Sequence, residues 1–167
     1  MRVTFSVLWL LIAAVATAAE PAETEVERAR EKVQAVIDEV EKACVDRTVY
    51  MIGRQKAQRL AELVRKHKPR LVVECGTAIG YSGLWIAREL KSAGRGKLIT
   101  IEIDPRRAKE AQANFRRAGL EKVVTSKVGD ARKVVEKIGG PVDFLFIDCG
   151  YANYHPILVT LQDKLPK

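Results

Sequence analysis

The chain has little of what several common functional classes require. Its aromatic residues are two Trp, four Tyr and four Phe. No basic run is interleaved with them, so no stacking platform for single-stranded nucleic acid is visible. His67 and His155 stand alone, and Cys44, Cys75 and Cys149 form no C-x-x-C pair. An odd, sparse cysteine set is no disulfide framework, and zinc-ligand spacing is missing. Tandem repeats, low-complexity linkers and a G-x-G-x-x-G string are also missing. The net charge is +8, from 29 basic and 21 acidic residues. The basic residues are scattered among Glu and Asp over helical stretches. That is the pattern of solvated helix faces and counts against a nucleic-acid partner. With 47% hydrophobic and 30% charged residues in 167 positions, one globular domain with one sizeable core is expected.

The first stretch differs from the rest. Val3 to Ala19 is apolar, follows a single Arg2, ends in Ala16-Thr17-Ala18-Ala19 and turns acidic at Glu20. A short basic start, an apolar middle and small residues before a cleavage point describe a secretory signal peptide. The same length could also serve as a membrane anchor. Residues 1–19 are therefore expected to be a signal peptide or anchor, and residues 20–167 the folded domain. Such a leader would carry the domain into the secretory pathway or periplasm, or hold it at a membrane through residues 3–19. Without a working signal the domain would stay in the cytoplasm.

Beyond the leader, apolar residues recur at helical spacing from Glu23 to about Cys44 (Val26, Val33, Val36, Ile37, Val40) and from Arg54 to His67. Pro69 then stops the helix. An alternation follows. Leu71–Cys75, Lys97–Glu102, Val123–Val128 and Val142–Ile147 read as strands. Tyr81–Leu90, Pro105–Arg117, Ala131–Ile138 and Tyr154–Leu165 read as helices. Alternating strands and helices predict an α/β fold: a Rossmann-like parallel sheet flanked by helices, preceded by N-terminal helices. The apolar strands are expected to be covered on both faces. A doubly wound domain usually continues beyond a fourth strand, so the domain reads as lacking its last strands.

The chemistry gathers at strand ends. Glu74-Cys75-Gly76-Thr77-Ala78-Ile79-Gly80-Tyr81-Ser82 lies where the first strand gives way to a helix. Glycine there lets backbone approach a ligand, and the helix start offers N–H groups. A carboxylate two residues before the first glycine would repel a pyrophosphate but suits an ammonium group. Glu102 ends the second strand, where a carboxylate can accept both ribose hydroxyls. Asp130, after the third strand, reads equally as a helix cap and as a residue of the adenine side. Asp148 ends the fourth strand, beside the first, and is an oxygen ligand suited to a hard divalent cation. Cys75 and Cys149 end neighbouring strands; buried packing is the default reading and a disulfide the alternative.

These residues resemble a known family. From Tyr50 to Leu165 the chain is similar to the class I S-adenosylmethionine-dependent O-methyltransferases of the catechol and caffeoyl-CoA type. The pieces that carry the resemblance are Gly53-x-x-Lys56-x-Gln58, Val73 to Ser82, Leu98 to Pro105 and Phe144 to Asp148. The resemblance implies S-adenosylmethionine as cofactor, Mg2+ or another divalent cation as a second one, and a small hydroxylated molecule as methyl acceptor. It implies that Ile52 packs on the cofactor and that Glu74 and Ser82 hold its amino-acid end. Gly76 and Gly80 would allow close approach. Glu102 would take the ribose, Ile103 would pack by the adenine, and Asp130 and Ala131 would contact its edge. Asp148 would bind metal near the methyl group. Members of the family pair as dimers, which makes a homodimer a further implication.

The chain departs from the family at two positions. The family's proton-abstracting lysine, three residues after the metal aspartate, is Tyr151 here, which becomes the candidate base. The family's second aspartate is Gly150. A non-catalytic cofactor-binding or interaction domain is therefore the alternative to an enzyme. The missing G-x-G-x-x-G argues against a nicotinamide oxidoreductase. Asp148-Cys149-Gly150-Tyr151 stands where base methyltransferases carry an Asp/Asn-Pro-Pro-aromatic loop.

Overall fold

The computed structural model describes residues 21–166. The proposed leader, 1–19, lies outside them. Among the described residues no helix is long and apolar enough to cross a membrane.

Two helices come first, α1 (Pro21–Asp46) and α2 (Arg54–His67). Four strands and their crossover helices follow: β1 (Leu71–Cys75), α3 (Tyr81–Ser92), β2 (Lys97–Glu102), α4 (Pro105–Arg117), β3 (Val124–Val128), α5 (Ala131–Glu136), β4 (Phe144–Ile147) and α6 (Tyr154–Leu161). The α1 face that is buried consists of Val33, Val36, Ile37, Val40 and Cys44, three and four residues apart. Val26, expected on that face, is 55% exposed, two turns before the packed stretch begins. In α2 the residues at helical spacing, Ala57, Leu60, Ala61 and Val64, are buried. Lys68 closes α2 in the left-handed conformation, its N–H donating to the Val64 carbonyl at 2.9 Å. At the start of α4, Asp104 accepts from the Arg106 amide and Pro105 occupies the first turn.

The sheet is parallel, with strand order β3-β2-β1-β4. Side chains alternate across it. Val72, Leu98, Phe144 and Phe146 pack with α1, α2, α3 and α4. Val73, Cys75, Ile101, Leu145 and Ile147 pack with α5 and α6 on the other face. Cover on both faces holds for β1 and β2 but not for the edges. The Thr125, Lys127 and Val128 side chains of β3 are exposed, and β4 is half-buried throughout. Lys127 on the outer strand is a common guard against edge-to-edge pairing.

Other boundaries moved for identifiable reasons. Val142 and Asp143 do not join β4. Val142 instead donates to the Lys164 carbonyl, and the Asp143 carboxylate accepts from the Arg70 and Leu71 amides at 2.7 and 2.8 Å. That clamp ties the entrance of β4 to the entrance of β1. The last helix ends at Leu161 rather than Leu165, giving way to a 3-10 turn over Gln162–Lys164. Helix α5 ends at Glu136, two residues early, although Ile138 still turns back to the Val135 carbonyl.

Replacing Asp143 by Ala leaves two backbone amides without their acceptor. An acceptor loss of this kind costs about 1–3 kcal/mol. Urea unfolding of the variant is expected to show a lower midpoint with an unchanged slope. An unchanged midpoint would mean that water replaces the carboxylate without cost.

Candidate functional site

Chain progression reverses between β1 and β4: β2 and β3 run out on one side of β1, and β4 returns on the other. Open parallel sheets form their crevice at such a switch point, beyond the strand C-termini. A cleft of about 570 Å3 lies there. Its walls come from the β1–α3 loop, the ends of β2 and β4, the turn after β3, and the α1–α2 connector with Tyr50, Met51 and Ile52.

The β1–α3 loop is shaped by contacts among its own neighbours. Gly76 has φ +104°, and a Cβ there would stand 2.2 Å from the Asp148 carbonyl oxygen. Its glycine thus lets the ends of β1 and β4 touch, besides lining the cleft. Gly80 departs from expectation. It lies off the cleft wall, and a Cβ there would press on Phe115 and Ala111 at 3.3–3.4 Å. Its role is close packing of α3 against α4. Ala78 takes φ +46°, a conformation few non-glycine residues adopt. That turn aims the Ala78 amide at Glu102 Oε2, 2.7 Å away. The Asp104 amide donates to the other oxygen at 3.0 Å. Glu102 is thereby fixed on the cleft wall, 6% exposed, each oxygen keeping a second lone pair for a ligand.

Glu74 is also displaced from its expected place. It is completely buried beneath the cleft and does not line it. Its carboxylate accepts from Ser82 Oγ at 2.6 Å and from Thr100 Oγ1 at 2.5 Å. Thr100 in turn meets the Thr77 hydroxyl. Burial pushes the Glu74 carboxyl up to about 7; the two hydroxyls oppose the shift, and the Asp148 and Glu102 charges add to it. Gly83 makes room for it, since a Cβ there would lie 3.0 Å from Glu74 Oε2 and 2.8 Å from Phe115 Cζ.

Ile52, Ser82, Ile103, Asp130, Ala131 and Asp148 all line the cleft. Ile103 is 70% exposed, an apolar surface awaiting cover. Asp130 combines both readings: it caps α5 by accepting from the Arg132 amide at 3.0 Å, and it faces the cleft. The Arg132 guanidinium beside it holds its carboxyl below the usual range. Asp148 is exposed, and among the described residues no group of three or more His, Cys, Asp or Glu gathers to hold a metal. Tyr151 is 93% exposed and off the cleft wall, its ring 6.1 Å from that of Tyr154. All three cysteines are free thiols, and burial pushes Cys75 up to about 12.

Thr77, Thr100, Arg107 and Asn153 were not foreseen. Thr77, Arg107 and Asn153 line the cleft, and Thr100 lies behind it. Thr100 had a legible signal: a hydroxyl inside an apolar strand has to find a partner. Arg107 and Asn153 sit among other polar residues and carry no such mark.

A carboxyl raised from 4.5 in the unfolded chain to about 7 in the fold stabilises the protein fully at low pH. That contribution is lost as pH rises through 7. At about 1.4 kcal/mol per pKa unit the loss is roughly 3 kcal/mol. The stability difference between Glu74→Gln and the wild type is expected to shift in the variant's favour by that amount between pH 4.5 and 8. Urea titrations of both proteins across this range measure it. Parallel pH curves would show that Glu74 is ionised alike in both states.

Residues 73–167, more than half of the chain, match the family model described as a methyltransferase domain. Catechol O-methyltransferase of Niastella koreensis is 42% identical over 101 residues, covering 58% of this chain and 43% of that protein. The Mycobacterium tuberculosis catechol O-methyltransferase is 36% identical over 104 residues, covering 61% and 46%. The chain thus spans less than half the length of these two relatives. Among solved structures, the Bacillus cereus O-methyltransferase in complex with SAH superposes with a TM-score of 0.71 at 26% identity, covering 79% of this chain and 62% of that one. The chain belongs to the methyltransferase domain family, with catechol O-methyltransferases among its relatives, and carries the Rossmann-like sheet of the class I O-methyltransferases.

Proposed function

We propose that the chain binds S-adenosylmethionine in this cleft and transfers its methyl group to a hydroxyl of a small molecule. The observation that carries the reading is Glu102. Two backbone amides fix its carboxylate at the end of β2, and its remaining lone pairs match two adjacent ribose hydroxyls. Ile103 supplies an apolar face for adenine, with Asp130 and Ala131 at the edge. Ser82 and Ile52 also line the cleft; Ser82 would stand at the amino-acid end and Ile52 would pack on the cofactor. The cleft volume fits a ligand of this size.

When bound, the cofactor supplies an electrophilic methyl group on sulfur. The protein's share is geometric: a fixed cofactor and an acceptor oxygen held in line with it. Asp148 would be one oxygen ligand for a divalent cation. The described residues bring no complete ligand set to it, so no step is assigned to a metal. Tyr151 remains the candidate base of the family's lysine position, and it would have to turn inward to reach an acceptor. The same two features favour a second reading, a domain that holds the cofactor without turnover. Signal or anchor function of residues 3–19 and pairing as a homodimer belong to the proposal on sequence grounds.

Calorimetric titration of the full chain with S-adenosylhomocysteine tests the cofactor site. Affinity on the order of micromolar is expected. Removal of a charged acceptor typically weakens binding by about 10- to 100-fold, and Glu102→Ala should fall in that range. A folded wild type that shows no heat of binding would sink the proposal.

A further inference from the structure

The fold gathers cations that lie far apart in the chain. Residues 65–70 carry four of them and residues 91–97 three, with no carboxylate in either segment. The first segment leads into β1 and the second into β2, while Glu121-Lys122 leads into β3. The three strands are parallel neighbours, so their entrances stand side by side, at the end of the sheet opposite the cleft. Hydrogen bonds stitch these entrances together. Arg95 Nη2 donates to the Lys68 carbonyl at 3.0 Å, the Lys97 amide to the Arg70 carbonyl at 2.9 Å, and the Lys97 ammonium to the Lys122 carbonyl. Lys66, Lys68, Arg70, Arg95, Lys97 and Lys122 are all exposed. Among the described residues none of them has a carboxylate at ion-pair distance, whereas Arg47, Arg54 and Arg59 are paired. A helix C-terminus accounts for Lys66 and Lys68. It does not account for Arg70, Lys97 and Lys122, which stand at the strand entrances.

A second observation comes from α1. Its Arg30 donates to Ser92 at the end of α3, at 3.4 Å, and its Glu41 accepts from Tyr81 at the start of α3, at 2.7 Å. The helix therefore runs from the basic end of the molecule up to the cleft. Its first residue, Pro21, lies nine residues before Arg30, roughly 14 Å further along the axis at 1.5 Å per residue. The apolar run Val3 to Ala19 thus leads into the domain at the basic end.

We infer that this basic face docks on a bilayer with anionic headgroups, and that the cleft opens on the side turned away from it. Clustered Lys and Arg beside an apolar segment draw a protein onto anionic lipid. The attraction acts on charges within a Debye length of the surface, about 10 Å, which favours cations set side by side at one end of the fold. Ligands then reach the cleft from water. The inference is independent of what the cleft binds.

Co-sedimentation of the full chain with vesicles tests it. Lys66→Gln/Arg70→Gln/Lys122→Gln removes three cations whose side chains make no hydrogen bond among the described residues. The control, Lys42→Gln/Arg59→Gln/Lys109→Gln, makes the same change in net charge on other exposed surfaces. Wild type is expected to bind phosphatidylcholine vesicles containing about a third phosphatidylglycerol at least about 100-fold more tightly than phosphatidylcholine alone. At about fivefold per cation near the surface, the first variant should lose on the order of 100-fold on the anionic vesicles and the control less than about fivefold. Equal loss in the two variants would reduce the attraction to net charge and overturn the inference. Equal binding of wild type to both vesicles would do the same. Release from the vesicles by duplex DNA at the same phosphate concentration would overturn it in favour of a nucleic acid. S-adenosylhomocysteine should bind the vesicle-bound protein within about twofold of its affinity in solution; loss on the vesicles alone would place the cleft against the bilayer and overturn the orientation. A wild type that binds none in either setting sinks the cofactor reading, and the vesicle comparison still decides the docking face.

Discussion

The parallel pairing of β1 with β2 on one side and β4 on the other is the constraint on which the site depends. It brings three strand ends to one place and leaves a crevice where their crossovers part. The contact is close enough that position 76 has to be glycine, with the Asp148 carbonyl occupying the space a side chain would take. Asp143 holds the opposite ends of the same two strands in step through two backbone amides. Register between β1 and β4 is thus fastened at both ends, and the cleft inherits its shape from that register.

The electrostatics of the cleft run against those of the molecule. The chain carries a net charge of +8, yet Glu74, Glu102 and Asp148 converge at the strand ends. Most Lys and Arg sit on solvated helix faces, where screening limits their reach to about 10 Å, while Lys56 and Arg107 reach the cleft wall. Burial does the opposite for the carboxylates. Glu102 is stabilised by two amides and Glu74 by two hydroxyls, and each is fixed in direction by them.

Much of this was legible in the sequence. Helical spacing marked the buried face of α2, and short β-branched runs marked β1 and β2, because these elements pack on both sides and their patterns are strong. Strand ends were legible as the place of chemistry, since a carboxylate or glycine after an apolar run has little other reason to be there. The edges were harder. Val142 and Asp143 adjoin the apolar run of β4 but are held by partners distant in the chain, the Lys164 carbonyl and the Arg70 and Leu71 amides.

Sequence by itself determined the alternation of elements, the parallel α/β class and the strand-end stretches that form the cleft, because each rests on local periodicity and on strand-end position. Tertiary structure decided what those residues do to one another. Glu74 was legible as a carboxylate near a ligand; only the packing of α3 over β1 and β2 places it under the floor, with Ser82 and Thr100 as its partners. Gly80 was legible as a loop glycine; only the approach of Phe115 and Ala111 from α4 shows what its missing side chain makes room for. The physical reason is the same in both cases. Burial and hydrogen-bond partnership are properties of residues distant in sequence, and no local pattern encodes them.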